Sequence, residues 1–137
     1  MKNVLKIIIL LLVFVVAAGV VYLKLVLPKV DKPENISIRA TPEMIQRGAY
    51  IANHISVCID CHSKRDWSKF SGPIVPETEG MGGETFTKEM GLPGNFYAKN
   101  ITPANIGNWT DGEIIRAITC GVDNNNNALF PIMPYQH

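Results

Sequence analysis

Residues 58 to 62 read Cys58-Ile59-Asp60-Cys61-His62. Two thiols at this spacing can each form a thioether bond to a vinyl group of one haem, and the two intervening residues set the separation of the sulfurs along a short helical turn. The imidazole that follows at once can swing under the porphyrin and bind iron from the proximal side. The run predicts one covalently bound haem c, with Cys58 and Cys61 as attachment points and His62 as an axial ligand. Haem held in this way points to single-electron transfer.

Other chemistries use a Cys-x-x-Cys pair. Zinc needs about four ligands, and beyond these residues the chain offers Cys120, His54 and His137, with no second close pair. A thiol-redox motif sits between a strand and a helix of a βαβ unit, whereas the stretch before Cys58 reads as a helix. A peroxidase-like catalytic haem protein would need an open iron site. A zinc or thiol-redox module and the open-site haem protein are the alternatives to an electron carrier.

Met133 is the candidate opposite His62. A thioether is a soft ligand that favours Fe(II), so Met/His ligation raises the reduction potential. Pro131 and Pro134 flank it, and each fixes φ and removes a backbone donor, which stiffens the loop. Met81 and Met90, in glycine-rich stretches, are its rivals; Met44 falls on a predicted helix and Met1 is the first residue. His54 lies four residues before the motif and would need its helix unwound to reach the iron. His137, the last residue, would compete only from a mobile end.

The elements that must position these groups are mainly helical. Thr41-Pro42-Glu43 is a helix start, with Thr as N-cap, Pro at the first helical position and an acid in the first turn. Apolar residues at Met44, Ile45, Ala49, Ile51, Ala52 and Ile55 recur at helical spacing. The spacing predicts a helix from Pro42 to about His54 that delivers Cys58 near its end. Gly48 within it implies close approach of another backbone. From Ser63 to about Asn108 glycine and proline recur and no long periodic segment is found. Such a loop region can wrap a large rigid apolar disc, with Trp67, Phe70, Phe86, Phe96, Tyr97 and Trp109 as candidates to pack around it or in the core. Thr110-Asp111-Gly112-Glu113 is a capping box and predicts a second helix from Asp111 to about Thr119, closed near Gly121. A polar turn follows at Asp123 to Asn127. Cys120, left over once two cysteines hold haem, is expected to be a small buried residue.

The 137-residue chain divides into an N-terminal membrane anchor at 1–27, a linker at 28–40 and one small domain at 41–137. Ile7 to Leu23 carry no charge, and the apolar run continues past Lys24 to Leu27, close to the ~20 residues needed to cross ~30 Å of hydrocarbon. Lys24 can snorkel to the interface, and Lys2 and Lys6 hold the N-terminus in the cytoplasm by the positive-inside rule. A cleaved signal peptide is the competing reading, with Ala17-Ala18-Gly19 as the small residues. Pro28 and Pro33, with Lys29, Asp31, Lys32 and Glu34, mark a solvated linker. From Pro28 onward ten basic and twelve acidic side chains leave a net charge of −2. There is no basic stripe, so nucleic-acid binding has no support.

The runs RGAYIANHISVCIDCH, GNFYAKNITP, GNWTDGEIIRAITCGV and LFPIMPY resemble a class I bacterial cytochrome c. More narrowly, they are similar to the membrane-linked haem domains that accompany periplasmic alcohol, aldehyde and sugar-acid dehydrogenases. The resemblance covers about Gln46 to Tyr135. It implies a cytochrome c fold of short helices and long loops around one haem, with Cys58, Cys61 and His62 at the attachment site and Met133 as the M-P-Y methionine. It implies a single-pass protein of a bacterial inner membrane whose haem domain faces the periplasm. The implied role is electron carrier, with a dehydrogenase subunit, an oxidase or another cytochrome as redox partner. Asn100, in the Asn-Ile-Thr-Pro run, is implied to lie near a haem propionate. Class I cytochromes end in a helix that crosses the first one near the positions of Gly48 and Tyr50. The sequence stops just after the methionine loop, so the 41–137 domain is expected to be incomplete at its C-terminus, as a fragment or truncated product, the alternative being a partner that supplies the packing of that helix.

Overall fold

The computed structural model describes residues 2–133 and 135. Pro134 and His137, the second flanking proline and the terminal histidine, lie outside the described residues. The described part is helix-rich, with a long apolar N-terminal helix and several short ones. The chain forms two compact units, Met1–Ser37 with Thr110–His137, and Ile38–Trp109.

In the first unit, α1 spans Lys2–Val26 and buries no residue. Its 25 residues extend about 37 Å at 1.5 Å per residue, enough to cross a bilayer. By length and composition α1 can span a membrane, and a signal sequence meets the same criterion. The second helix of the unit, Asp111–Cys120, has the capping box in full. The Thr110 hydroxyl accepts from Glu113 N at 3.2 Å, and Thr110 N donates to the Glu113 carboxylate at 2.8 Å. It ends on Gly121 in the left-handed region, φ 65°, which a residue without Cβ adopts at no steric cost.

The inward residues of that helix are Gly112 and Arg116. A Cβ on Gly112 would clash with Glu34 O, so only glycine lets the backbone at Glu34 lie this close to the helix. Arg116 is 8% exposed and donates to Asp123 O at 2.7 Å and, at 3.4 Å, to Asp31 O and Asn126 Oδ1. Part of the expected linker is therefore strapped to the helix by its backbone rather than solvated throughout. Cys120 departs from expectation: it is exposed. The helix packs against main-chain oxygens, which ask for a small residue and a donor, and not for a further apolar side chain. Asp123 accepts from Asn125 N and Asn127 N at 2.9 and 2.7 Å, closing the polar turn, and Val122, 1% exposed, bridges to Ala128 across it.

In the second unit, α2 runs Pro42–Tyr50, with the Thr41 hydroxyl accepting from Met44 N. The helix then widens into one π-helical turn, Ile51–Ile55, with Ser56 N donating to Ile51 O at 2.8 Å. Asn53 supplies a local reason. Its side-chain amide donates to Ala49 O at 2.8 Å, the carbonyl that regular α geometry would pair with the Asn53 backbone. A Cβ at Gly48 would meet nothing within 4 Å, so the close backbone expected there is not found among the described residues. Further along, α3 is the single turn Cys58–Cys61, β1 (Thr85–Phe86) and β2 (Phe96–Tyr97) form an antiparallel pair, and α4 is Pro103–Ile106; the capped helix Asp111–Cys120 of the first unit is α5.

Three of the aromatic candidates, Trp67, Phe70 and Tyr97, are exposed and do not fill a protein core. Phe70 is 98% exposed, at the tip of a loop closed by Arg65, which donates to Ser71 O at 2.7 Å and to Gly72 O. Trp67 is exposed and lies under the Arg65 guanidinium at 5.0 Å, with its indole N–H donating to Glu84 Oε1 at 3.0 Å.

Candidate functional site

Cys58, Cys61 and His62 are brought together on one turn. Cys58 opens α3 and His62 caps it, with His62 N donating to Cys58 O at 2.9 Å. The turn begins abruptly. Val57 has φ 45° and ψ 35°, the left-handed region that a β-branched residue rarely adopts. That one residue breaks the run of Ile51–Ile55 and re-aims the chain, so the thiols do not simply continue the preceding helix. Both cysteines are free, Cys58 half-buried and Cys61 exposed. Partial burial, then the carboxylates of Asp60 and Glu84, push the Cys61 thiol above its usual range, so it stays protonated at neutral pH.

His62 is held from a distant part of the sequence. Its Nδ1 lies 2.7 Å from Lys99 O. A carbonyl oxygen only accepts, so Nδ1 carries the proton and Nε2 of the neutral ring keeps its lone pair. An imidazole arranged in this way can bind a metal through Nε2, with the bond to Lys99 O fixing its orientation.

Glycines make that bond geometrically possible. Gly82 N donates to His62 O at 2.7 Å and Gly83 N to Ala98 O at 3.1 Å. The glycine stretch thus runs between the His62 segment and the Ala98–Asn100 segment. A Cβ on Gly82 would lie 2.5 Å from Ala98 O, and any side chain there would push the two segments apart. Ser63, fully buried, accepts from Gly80 N at 3.2 Å, and Gly80 O accepts from Ile101 N at 2.7 Å.

These residues fit a haem c. The donor set is two free thiols on one helical turn and an imidazole with its tautomer fixed. The α2 and π-helical segment that leads into the turn exposes Met44, Ile45, Ile51 and Ile55, apolar side chains suited to packing against a large flat apolar group. The competing readings find less. Among the described residues no group of three or more His, Cys, Asp or Glu side chains could hold a metal ion. The pair is preceded by a π-helical turn and not by a strand. Two open hollows among the described residues, about 650 Å³ beside Leu23 and Leu27 and about 330 Å³ beside Lys64 and Trp67, are not lined by Cys58, Cys61 or His62.

Met133 belongs to the first unit, where it is half-buried, with its main-chain oxygen accepting from Tyr135 N at 2.9 Å. Its rivals Met81 and Met90 are exposed. His54 is exposed in the π-helical turn, its ring 5.3 Å from that of Tyr50. Asn100 Oδ1 accepts from Thr102 N and Oγ1 at 2.8 and 2.7 Å, which makes it a cap for the turn before α4. Sequence reasoning missed Lys99 O and Ser63. Their only signal was the glycine-rich stretch opposite them.

No family model matches the chain. It is similar to the gluconate 2-dehydrogenase cytochrome c subunit of Pantoea cypripedii, at 30% identity over 101 residues, 71% of this chain and 20% of the relative. The alcohol dehydrogenase (quinone) cytochrome c subunits of Gluconacetobacter polyoxogenes and Gluconobacter oxydans are 29% and 30% identical over 100 residues, 70% of this chain and 18% of each relative. The chain spans about a fifth of the length of these curated relatives. All three relatives are cytochrome c subunits of bacterial dehydrogenases, and over about 70% of its length the chain is related to these cytochrome c subunits of gluconate and alcohol dehydrogenases.

Proposed function

We propose that this protein is a membrane-anchored mono-haem cytochrome c that relays single electrons between a periplasmic dehydrogenase or respiratory complex and an acceptor. The observation that carries the reading is the α3 turn, with free Cys58 and Cys61 followed by His62 whose Nδ1 is committed to Lys99 O. Bound haem c would supply a one-electron Fe(II)/Fe(III) couple. Cys58 and Cys61 would hold it by thioether bonds, and His62 would bind its iron through Nε2. Met133 would be the second protein ligand to the iron; this assignment rests on the sequence of its loop and its similarity to the M-P-Y run. The exposed apolar residues of α2 supply low-dielectric surface. No side chain needs to act as a general acid or base, so the role is that of a carrier and not of an enzyme. A dehydrogenase subunit is the proposed donor, in line with the names of the relatives. The run of α1 anchors the chain in a bacterial inner membrane, with Lys2 and Lys6 on the cytoplasmic side and the remainder in the periplasm.

The test is covalent haem. Protein expressed with a haem-attachment system should be red, gain the mass of one haem and keep it through acid–acetone extraction. Cys58→Ala and Cys61→Ala together should abolish this. Colourless protein, or haem lost on extraction, would overturn the reading. In oxidised protein the sulfur-to-iron bond should give a weak near-infrared band that Met133→Ala removes and that Met81→Ala and Met90→Ala leave in place.

A further inference from the structure

The chain returns twice to the residue that ends α5. Gly121 is buried, with φ 65° and its N–H donating to Ala117 O. The first return is by main chain: after the Val122–Ala128 bridge, Leu129 N donates to Gly121 O at 2.7 Å. The second is by side chain. A Cβ on Gly121 would lie 2.8, 3.0 and 3.1 Å from Cδ2, Cε2 and Cγ of Tyr135, so the tyrosine ring lies directly on the glycine α-carbon. Met133 falls between the two returns. Within the segment, Ile132 N donates to Phe130 O at 2.8 Å and Tyr135 N to Met133 O at 2.9 Å, and Pro131 fixes its own φ.

We propose that Tyr135, seated on Gly121, is a positioning residue for Met133, clamping the far end of its loop to the end of α5. The proposal rests on the reading of Met133 as the sixth iron ligand. A thioether is a weak ligand that water or an added base can displace. Holding its loop at both ends removes conformations that would otherwise be lost on binding, which strengthens the bond without a new contact to iron. The ring does this and not the hydroxyl, because it is the ring that covers Gly121. Glycine is required beneath it, both for the positive φ and for the space.

The full chain, loaded with haem, is compared as wild type, Met133→Ala, Tyr135→Phe, Tyr135→Ala and Gly121→Ala. Readouts are the near-infrared sulfur-to-iron band, the midpoint potential and titration with imidazole. Tyr135→Phe should keep the band. Tyr135→Ala and Gly121→Ala should lose at least half of it, shift the potential toward that of Met133→Ala and bind imidazole about tenfold more tightly, as the fraction of molecules with a bound sulfur falls. Haem content and far-UV helical signal should stay as in wild type, which separates a loosened ligand from an unfolded domain. Should Tyr135→Ala not accumulate, Tyr135→Leu carries the same readouts. A full band and unchanged imidazole affinity in Tyr135→Ala or Tyr135→Leu overturn the clamp while leaving Met133 in place. A band that survives in Met133→Ala overturns the ligand reading itself.

Discussion

His62 Nδ1 lies 2.7 Å from the main-chain oxygen of Lys99, 37 residues further along the chain. Because the acceptor is backbone, its position depends on what allows the Ala98–Asn100 segment to approach, and not on the lysine side chain. Gly82, at φ 75° with a Cβ position 2.5 Å from Ala98 O and 2.7 Å from Lys99 C, is that permission. Gly82→Ala should cost about 2 kcal/mol or more and weaken the bond to Nδ1. With less electron density on the ring, the ferric state loses support and the reduction potential should rise. Lys99→Ala should change neither quantity. Redox titration alongside thermal melting of the haem-loaded protein decides: a destabilised Gly82→Ala with an unshifted potential would separate Lys99 O from ligand tuning.

Val57 is held at φ 45° directly before the first cysteine. The left-handed region costs a side-chain-bearing residue about 1–2 kcal/mol, and asparagine visits it more readily. Val57 is 46% exposed, so little packing is lost on replacement. Val57→Asn should therefore stabilise the protein by about 1 kcal/mol, read as a higher melting temperature. A lower one would mean that the valine side chain contributes more than its exposure implies.

Arg116 is the buried cation of the first unit. It donates to Asp31 O, Asp123 O and Asn126 Oδ1, while its Nε is buried without a partner. Arg116→Met keeps the length and apolar stem but leaves the Asp123 oxygen without its donor. The loss should be about 2 kcal/mol or more, in the range for hydrogen bonds to charged groups together with an unsatisfied buried acceptor. Chemical denaturation measures it. A stability equal to wild type would show that the cost of burying the guanidinium cancels its bonds.

The α1 span should remain attached to the chain. Its uncharged run from Ile7 to Leu23 is long for a signal peptide and close to the length that crosses a bilayer. Full-length protein should stay in the membrane fraction through high-salt and carbonate washes. A soluble product beginning near Gly19 or Val20 would establish cleavage instead.

Local rules were written plainly in the sequence. The capping box of Thr110 and Glu113, the Thr41 cap, the glycine that ends α5 and the long apolar α1 all depend on residues three or four apart or on a continuous run, so their side chains announce them. The same holds for the turn that carries Cys58, Cys61 and His62, whose spacing is local. The helical periodicity did not reveal the π-helical turn at Ile51–Ile55, because the Asn53 side chain competes for one carbonyl of an otherwise regular pattern. Tertiary structure alone decided which His62 nitrogen is free, why Gly82 is a glycine, that Arg116 and not Cys120 is buried, and that Phe70 stands in solvent. Each of these turns on a main-chain oxygen or on the close approach of two backbones. Every residue carries the same carbonyl, so no side-chain pattern tells which one a distant histidine or arginine will meet.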